Sequence, residues 1–262
     1  MVAWETKITS IKPNEILFRG YPVEQVMERL SYAETVYLML KGELPTESEG
    51  KVFQSILVCS MDHGVTPPSA MGTLNSTSTG APVNAALASG LLAINDFHGG
   101  AIGNAMKLFK EAGNAAGRPL NRQKLKEFME EKFAKKVRFS GFGHRVHSTD
   151  PRSVALVKIA KENLSEDALY WVDIATTIEE LITEIKGKRL PVNVDGMIGA
   201  VLLSLNFDIA ISNAIFMISR LPGLLAHFVE ERETQKPMRK IIQSEAVYSG
   251  SEKRDLPKRG AQ

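Results

Sequence analysis

Ser31-Tyr32-Ala33-Glu34-Thr35-Val36-Tyr37-Leu38-Met39-Leu40-Lys41-Gly42 is the stretch that decides the fold class. Ser31 and Glu34 have the spacing of a capping box, in which each side chain satisfies an amide that the start of a helix leaves unpaired. The apolar face runs on through Val36, Leu38 and Leu40, and Gly42 provides the C-terminal stop. Pro45 then turns the chain. From Val23 onward apolar residues recur at three- and four-residue spacing with almost no alternating runs, which predicts further helices over 47–60, 82–95, 101–113, 121–134, 151–163, 166–186, 196–206, 208–219 and 222–233. Only Thr6 to Phe18 reads as strand, so the expected class is all-α.

The whole chain has 262 residues, 44% hydrophobic and 24% charged, enough for a large core and for two domains but not the composition of a disordered, collagen-like or coiled-coil protein. With 32 basic and 30 acidic side chains the net charge is +2, so no bulk attraction draws it to nucleic acid or an anionic membrane, and an anionic ligand must be met locally. The single cysteine, Cys59, excludes an internal disulfide framework and a thiolate metal cluster, and it fits a reducing, cytoplasmic setting. Met1 to Glu5 lacks the charged-then-apolar signal pattern, and the apolar run 192–205 is interrupted by Asp195 and too short to span a bilayer.

Glycine and proline cluster at 64–68, 98–100, 141–143 and 191–196. Between the second and fourth joints the chain is charged and amphipathic, whereas the flanks are rich in small apolar residues that suit close helix packing. This contrast predicts a small helical domain over 102–200 inserted into a large one made of 1–101 and 201–262, with 251–262 as a flexible tail.

Four of the five histidines sit beside glycine or another motif residue. His98 precedes Gly99-Gly100, where the absent side chains let a ligand approach the backbone; a simple helix stop is the bland alternative. His144 lies in Gly141-Phe142-Gly143-His144-Arg145-Val146-His147, with Arg145 and Arg152 adding fixed positive charge suited to carboxylate or phosphate. The loop lacks the third glycine and the preceding strand of a dinucleotide fingerprint, and His144 with His147 lacks the acidic or cysteine partners of a metal site. Asp150, before Pro151, reads as a helix cap. Asp195 stands in apolar, Pro- and Gly-bounded company, where desolvation would make it a stronger base unless it merely caps a helix. His63 precedes another turn, and Arg220 lies among apolar helical residues, where a buried guanidinium calls for a protein or ligand carboxylate. Imidazoles, one desolvated carboxylate and several arginines, without a nucleophile elbow, suit proton abstraction next to a carbonyl.

The motifs Asn14 to Pro22, Ser31 to Thr46, Asp62-His63-Gly64, Ser78-Thr79-Gly80, Phe97 to Ala101, Gly141 to Arg152, Pro191 to Gly196 and Ser219 to His227 together resemble the citrate synthase family, in a shortened form similar to a citryl-CoA lyase. The resemblance implies a citrate synthase-like all-α fold whose small domain closes on the large one, a homodimer, and no permanently bound cofactor, with a coenzyme A thioester and a dicarboxylate as small-molecule ligands. It implies Asp195 as the base at the thioester α-carbon, His98 as donor to the thioester oxygen, and His144 as the group that exchanges the hydroxyl proton of the adduct. His63, Arg152 and Arg220 match positions that hold substrate carboxylates, while Gly141, Phe142, Gly143 and Arg145 would border coenzyme A. His147 and His227 receive no role.

Three departures from the synthase pattern point to cleavage. The long helical block that full synthases carry between Pro45 and Asp62 is missing, the His144 loop is one residue shorter, and Glu245 stands where synthases place an arginine that reaches the neighbouring active site. The expected activity is therefore cleavage of citryl-CoA to acetyl-CoA and oxaloacetate; the alternatives are a citrate or 2-methylcitrate synthase and a non-catalytic coenzyme A-binding homologue.

Overall fold

The structure is a computed structural model and describes residues 4–143, 150–239, 249 and 252. His144, Arg145, His147 and Glu245 lie outside the described residues. The chain opens on a small antiparallel meander of β1 (Thr9–Lys12), β2 (Glu15–Phe18) and β3 (Tyr21–Pro22), in which Thr9 faces Phe18 and Lys12 faces Glu15. Asn14, at φ 61°, makes the first turn, which accounts for a hairpin where a single strand-like run was expected. Arg19 ties this meander to the helices by donating from Nη2 to the Met39 carbonyl at 2.6 Å.

Everything after it is helical: α1 (Val23–Arg29), α2 (Tyr32–Lys41), α3 (Glu47–Cys59), α4 (Pro68–Ser78), α5 (Val83–Leu92), α6 (Ala101–Ala116), α7 (Arg122–Ala134), α8 (Pro151–Asn163), α9 (Glu166–Lys186), α10 (Val194–Ser204) and α11 (Ser212–Thr234). The Ser31 capping box is formed on both sides, with the Ser31 amide donating to Glu34 at 2.7 Å, and Gly42 ends α2 in the left-handed conformation. Thr46 and Glu49 repeat the device at the start of α3.

Two elements depart from the periodicity. α4 escapes an apolar-spacing search because its sequence is PSAMGTLNSTS: it is buried through Ser69, Thr73, Thr77 and Ser78 as well as Ala70 and Leu74. The two helices expected at 208–219 and 222–233 are one helix, α11, which continues through Pro222 after a short 3₁₀ turn at Ile209–Ile211. Proline removes one amide from the ladder, but the helix is packed along its length against α3, α4, α5 and α6, and that packing outweighs the lost bond. α11 is also long and apolar enough by composition to cross a bilayer. Its Arg220 is buried, and Glu231 near its end is buried and pairs with Arg239 at 2.5 Å.

The core is continuous from Ala33 and Tyr37 to Phe216. α10 lies at its middle, against α6, α8 and α9, and every one of its residues is buried except Asp195. A helix apolar on all sides is expected only where all sides are covered, so the one polar exception marks where the covering stops.

Candidate active site

The covering stops at a cleft of about 410 Å³, into which His63, His98, Gly143, Arg152, Asp195 and Arg220 all face. Six of the expected site residues, drawn from separate stretches of sequence, are thereby brought together.

Asp195 occupies the first turn of α10 and is not its cap. That role belongs to Asn193, whose side-chain oxygen accepts from the Gly196 amide at 3.1 Å. Burial pushes the Asp195 carboxyl up to about 6, with the neighbouring Asp150 adding to the rise and Arg152 and Arg220 opposing it. A carboxylate with that pKa is a stronger base than an exposed one and still ionises at neutral pH.

His98 stands on the turn between α5 and α6, where the backbone doubles back through Asn95. Its Nε2 lies 2.8 Å from the hydroxyl of Ser69, a fully buried residue near the start of α4, and its ring meets Phe216 edge-on. Burial, reinforced by the Arg220 charge, pulls the imidazole down to about 4, so it is neutral at physiological pH. It is not simply a helix stop: a neutral, oriented imidazole is a hydrogen-bond donor that does not have to lose a charge.

The arginines are held differently. Arg152 lays Nε and Nη2 on the two oxygens of Asp150, at 3.0 and 2.8 Å, while Asp150 also accepts from the Arg152 amide and so caps α8 as expected. Arg220 is 3% exposed; its Nε donates to the Ser60 carbonyl at 2.8 Å, its guanidinium lies 5.0 Å from the Phe216 ring, and Nη1 is buried without a hydrogen-bond partner. No described carboxylate forms an ion pair with it, although Asp62 and Asp195 lie near enough to favour its charge. Burial lowers its pKa from the usual arginine value, and Arg152 lowers it further. The cleft therefore concentrates positive charge beside a reluctant carboxylate, which favours an anionic guest.

The loop expected to border coenzyme A divides. Gly143 lines the cleft, but Phe142 is buried against Phe109 and bridges to Val192, and Gly141 lies backbone to backbone on Gly196. Phe142 and Gly141 thus pack the loop onto the start of α10, so that it does not stand free in solvent. The seat is laced by three bonds: Asn193 amide to Gly141 carbonyl at 3.0 Å, Gly143 amide to Pro191 carbonyl at 2.7 Å, and Asn193 Nδ2 to Gly143 carbonyl at 2.8 Å.

Sequence reading missed Ser69, the Ser60 carbonyl, Asn193 and Phe216. Ser69 follows Pro67-Pro68 at a helix start, a signal that marks the helix but not the histidine it meets. His227, given no role, donates to Asp62 at 2.9 Å. Cys59 lies near the charges of the cleft, but burial pushes its thiol up to about 11, so it is not a thiolate at neutral pH.

A helical fold with a cleft that joins a raised carboxylate, a neutral imidazole and two arginines has the groups that acid–base chemistry on an anion needs. The sequence model described as "Citrate synthase, C-terminal domain" matches residues 1–56 and 47–242, and the chain belongs to the citrate synthase family. The citryl-CoA lyase of Hydrogenobacter thermophilus is 36% identical and superposes with a TM-score of 0.86, over 97% of this chain and 98% of that one. The citrate synthase of Thermoplasma acidophilum, solved as a ternary complex with carboxymethyl coenzyme A and oxaloacetate, is 30% identical with a TM-score of 0.71, over 87% of this chain and 59% of that one. The citrate synthase of Haloferax volcanii is 30% identical over 242 residues, 91% of this chain and 60% of that protein. The chain spans about three fifths of the length of the curated relatives it matches.

Proposed function

We propose that this chain cleaves citryl-CoA, or a closely related 3-hydroxyacyl-CoA, to acetyl-CoA and oxaloacetate. The observation that carries the reading is the cleft itself: Asp195 raised to about 6 opposite the neutral, Ser69-bonded His98, beside an Arg220 with an unanswered donor. The end-to-end likeness to the Hydrogenobacter lyase favours the cleaving form over the longer synthases.

In this reading the Ser69 hydroxyl donates to Nε2 of His98, leaving the ring proton on Nδ1 for the thioester oxygen. His144 removes the proton of the substrate hydroxyl. The bond between the hydroxyl-bearing carbon and the thioester α-carbon breaks; its electron pair passes to the thioester as an enolate while the other carbon becomes the ketone of oxaloacetate. Protonated Asp195 then gives its proton to the α-carbon, completing acetyl-CoA. No water is consumed. His63, Arg152 and Arg220 hold the carboxylates, and residues 102–200 close over the site in a cytoplasmic homodimer.

The test is an assay of the purified chain with citryl-CoA, following oxaloacetate release, and in parallel with acetyl-CoA plus oxaloacetate, following free thiol. Rapid oxaloacetate release supports the proposal; efficient net citrate formation without citryl-CoA cleavage overturns it. That second outcome is the behaviour of a citrate or 2-methylcitrate synthase; the Haloferax and Thermoplasma relatives are citrate synthases. Synthesis requires hydrolysis of the thioester after condensation, so thiol release separates the two.

Arg220→Lys tests the carboxylate contact. Lysine keeps the charge but loses the fork, and cannot at once bond the Ser60 carbonyl and a ligand carboxylate in the same plane. Loss of one charge-assisted bond predicts oxaloacetate binding about 10- to 100-fold weaker, with the fold retained. Calorimetry that shows unchanged affinity would make Arg220 structural.

A further inference from the structure

One face of α11 follows the segment that leads into the cleft, contact by contact. The Ser219 hydroxyl donates to the Leu57 carbonyl at 2.5 Å, Arg220 Nε donates to the Ser60 carbonyl at 2.8 Å, Gly223 packs on the Met61 carbonyl, and His227 Nε2 donates to Asp62 Oδ1 at 2.9 Å. Positions 219, 220, 223 and 227 share a helix face, and their partners, 57, 60, 61 and 62, ascend in the same direction. At Gly223 the approach is close enough that a Cβ would come 2.1 Å from the Met61 carbonyl oxygen, so only glycine permits it.

The last contact is made by a side chain, and it ends one residue before His63. The other oxygen of Asp62, Oδ2, accepts from the Gly64 amide at 2.9 Å. The Asp62 carboxylate is therefore held on one side by α11 and itself holds the backbone just beyond His63 on the other. Burial works against ionisation of Asp62, but the Gly64 amide and His227 outweigh it and keep the carboxyl below its ordinary value. The His227 side chain is 12% exposed and lies outside the cleft lining, so it does not touch a ligand there.

We infer that His227 and Asp62 form a positioning pair which fixes the His63 turn relative to Arg220, setting the spacing between two of the groups that would hold the dicarboxylate. Arg220 and His227 stand on one rigid helix, two turns apart, so the helix acts as a ruler between the guanidinium and the turn. The inference deepens the proposed function and rests on the reading of the cleft as a dicarboxylate site.

The test compares His227→Ala with His227→Gln. Glutamine can donate an amide hydrogen to Asp62 Oδ1; alanine cannot. His227→Ala is expected to weaken oxaloacetate binding about 5- to 10-fold, the scale of one hydrogen bond, while kcat stays within about twofold. Amide exchange at Gly64 should quicken by a similar factor while amides of α10, such as that of Val201, exchange as in the wild type. His227→Gln should recover most of both effects. Unchanged Gly64 exchange in His227→Ala, or equal losses in the alanine and glutamine variants, would overturn the positioning role. If the wild type binds no oxaloacetate, the functional reading fails, and Gly64 exchange still decides whether the pair orders the turn.

Discussion

Asp195→Asn is expected to cut citryl-CoA cleavage by about 100- to 10,000-fold, the usual effect of removing a positioned proton-transfer group, and yet to make the protein slightly more stable. Asparagine preserves shape and cannot deliver a proton. The stability gain follows from the carboxyl being raised from 3.8 to about 6 in the fold. A group raised in this way binds its proton more tightly folded than unfolded, so its contribution is fully present below pH 3.8 and is lost as pH rises through about 6. At pH 7 the wild type therefore carries a burial penalty that the neutral amide does not.

A tenfold change in proton affinity corresponds to about 1.4 kcal/mol, but Asp195 keeps some contact with the cleft, and its negative charge is favoured by about 0.5 kcal/mol at a helix start. The expected net gain is about 1 kcal/mol at pH 8, shrinking towards pH 5, measured by urea unfolding of both proteins. The same ionisation gives cleavage its pH dependence. Cleavage needs protonated Asp195 and should decline above about pH 6, whereas exchange of the acetyl-CoA α-protons into heavy water needs the carboxylate and should climb through that pH. Near-normal cleavage in Asp195→Asn, or both rates moving in one direction with pH, would remove Asp195 from the mechanism.

The parts of this site that were legible from sequence are those where one residue type does a job its neighbours cannot. Asp195 stood out because it is the lone acid in an apolar run, and the structure makes that literal: it is the one residue of α10 that is only partly buried. Arg220 stood out for the same reason, as a cation among apolar helical positions. Helix caps were legible because capping is local, which is why Ser31 and Asp150 could be read from residues at most a few positions away. The residues missed are those whose partner lies far off in the chain. Ser69 meets His98 across 29 positions, and His227 meets Asp62 across 165. Nothing in the composition of α4, a helix of small and hydroxylated residues, gives it an apolar stripe to detect, and nothing near Phe142 shows that its ring turns inward to Phe109. Pro222 misled in the opposite direction, because its local cost is real but smaller than the packing on either side of it.

Gly196→Ala is expected to be strongly damaging, although it adds one methyl group beside a residue of unchanged chemistry. A Cβ there would lie 2.3 Å from the Gly141 carbonyl oxygen, 2.9 Å from its carbon and 3.0 Å from its Cα. All three are backbone atoms, so no side chain can swing aside to relieve them. A Cβ on Gly141 would likewise come 2.6 Å from the Gly196 Cα, so the two backbones are in close contact from both sides. Relief requires the loop to lift from the start of α10, which breaks the three bonds that Asn193, Pro191 and Gly143 make across the seat.

Overpacking of about 1–3 kcal/mol and about 1 kcal/mol for each of the three lost bonds bring the cost to roughly 4–6 kcal/mol, a large part of the stability of an ordinary domain. At about 2–4 °C per kcal/mol for a chain of this size, Tm should fall by roughly 10 °C or more. Gly187→Ala is the control without a clash: Gly187 has nothing within 4 Å of the added methyl, so it should lose only about 1 kcal/mol, from the strain of its own positive φ, 63°. Because the same lift carries Gly143 away from Asp195, activity at temperatures well below Tm should fall with it. A Gly196→Ala protein that melts with the Gly187→Ala control would show that the two backbones do not touch, and with that the placement of the glycine loop on the base-bearing helix would fail.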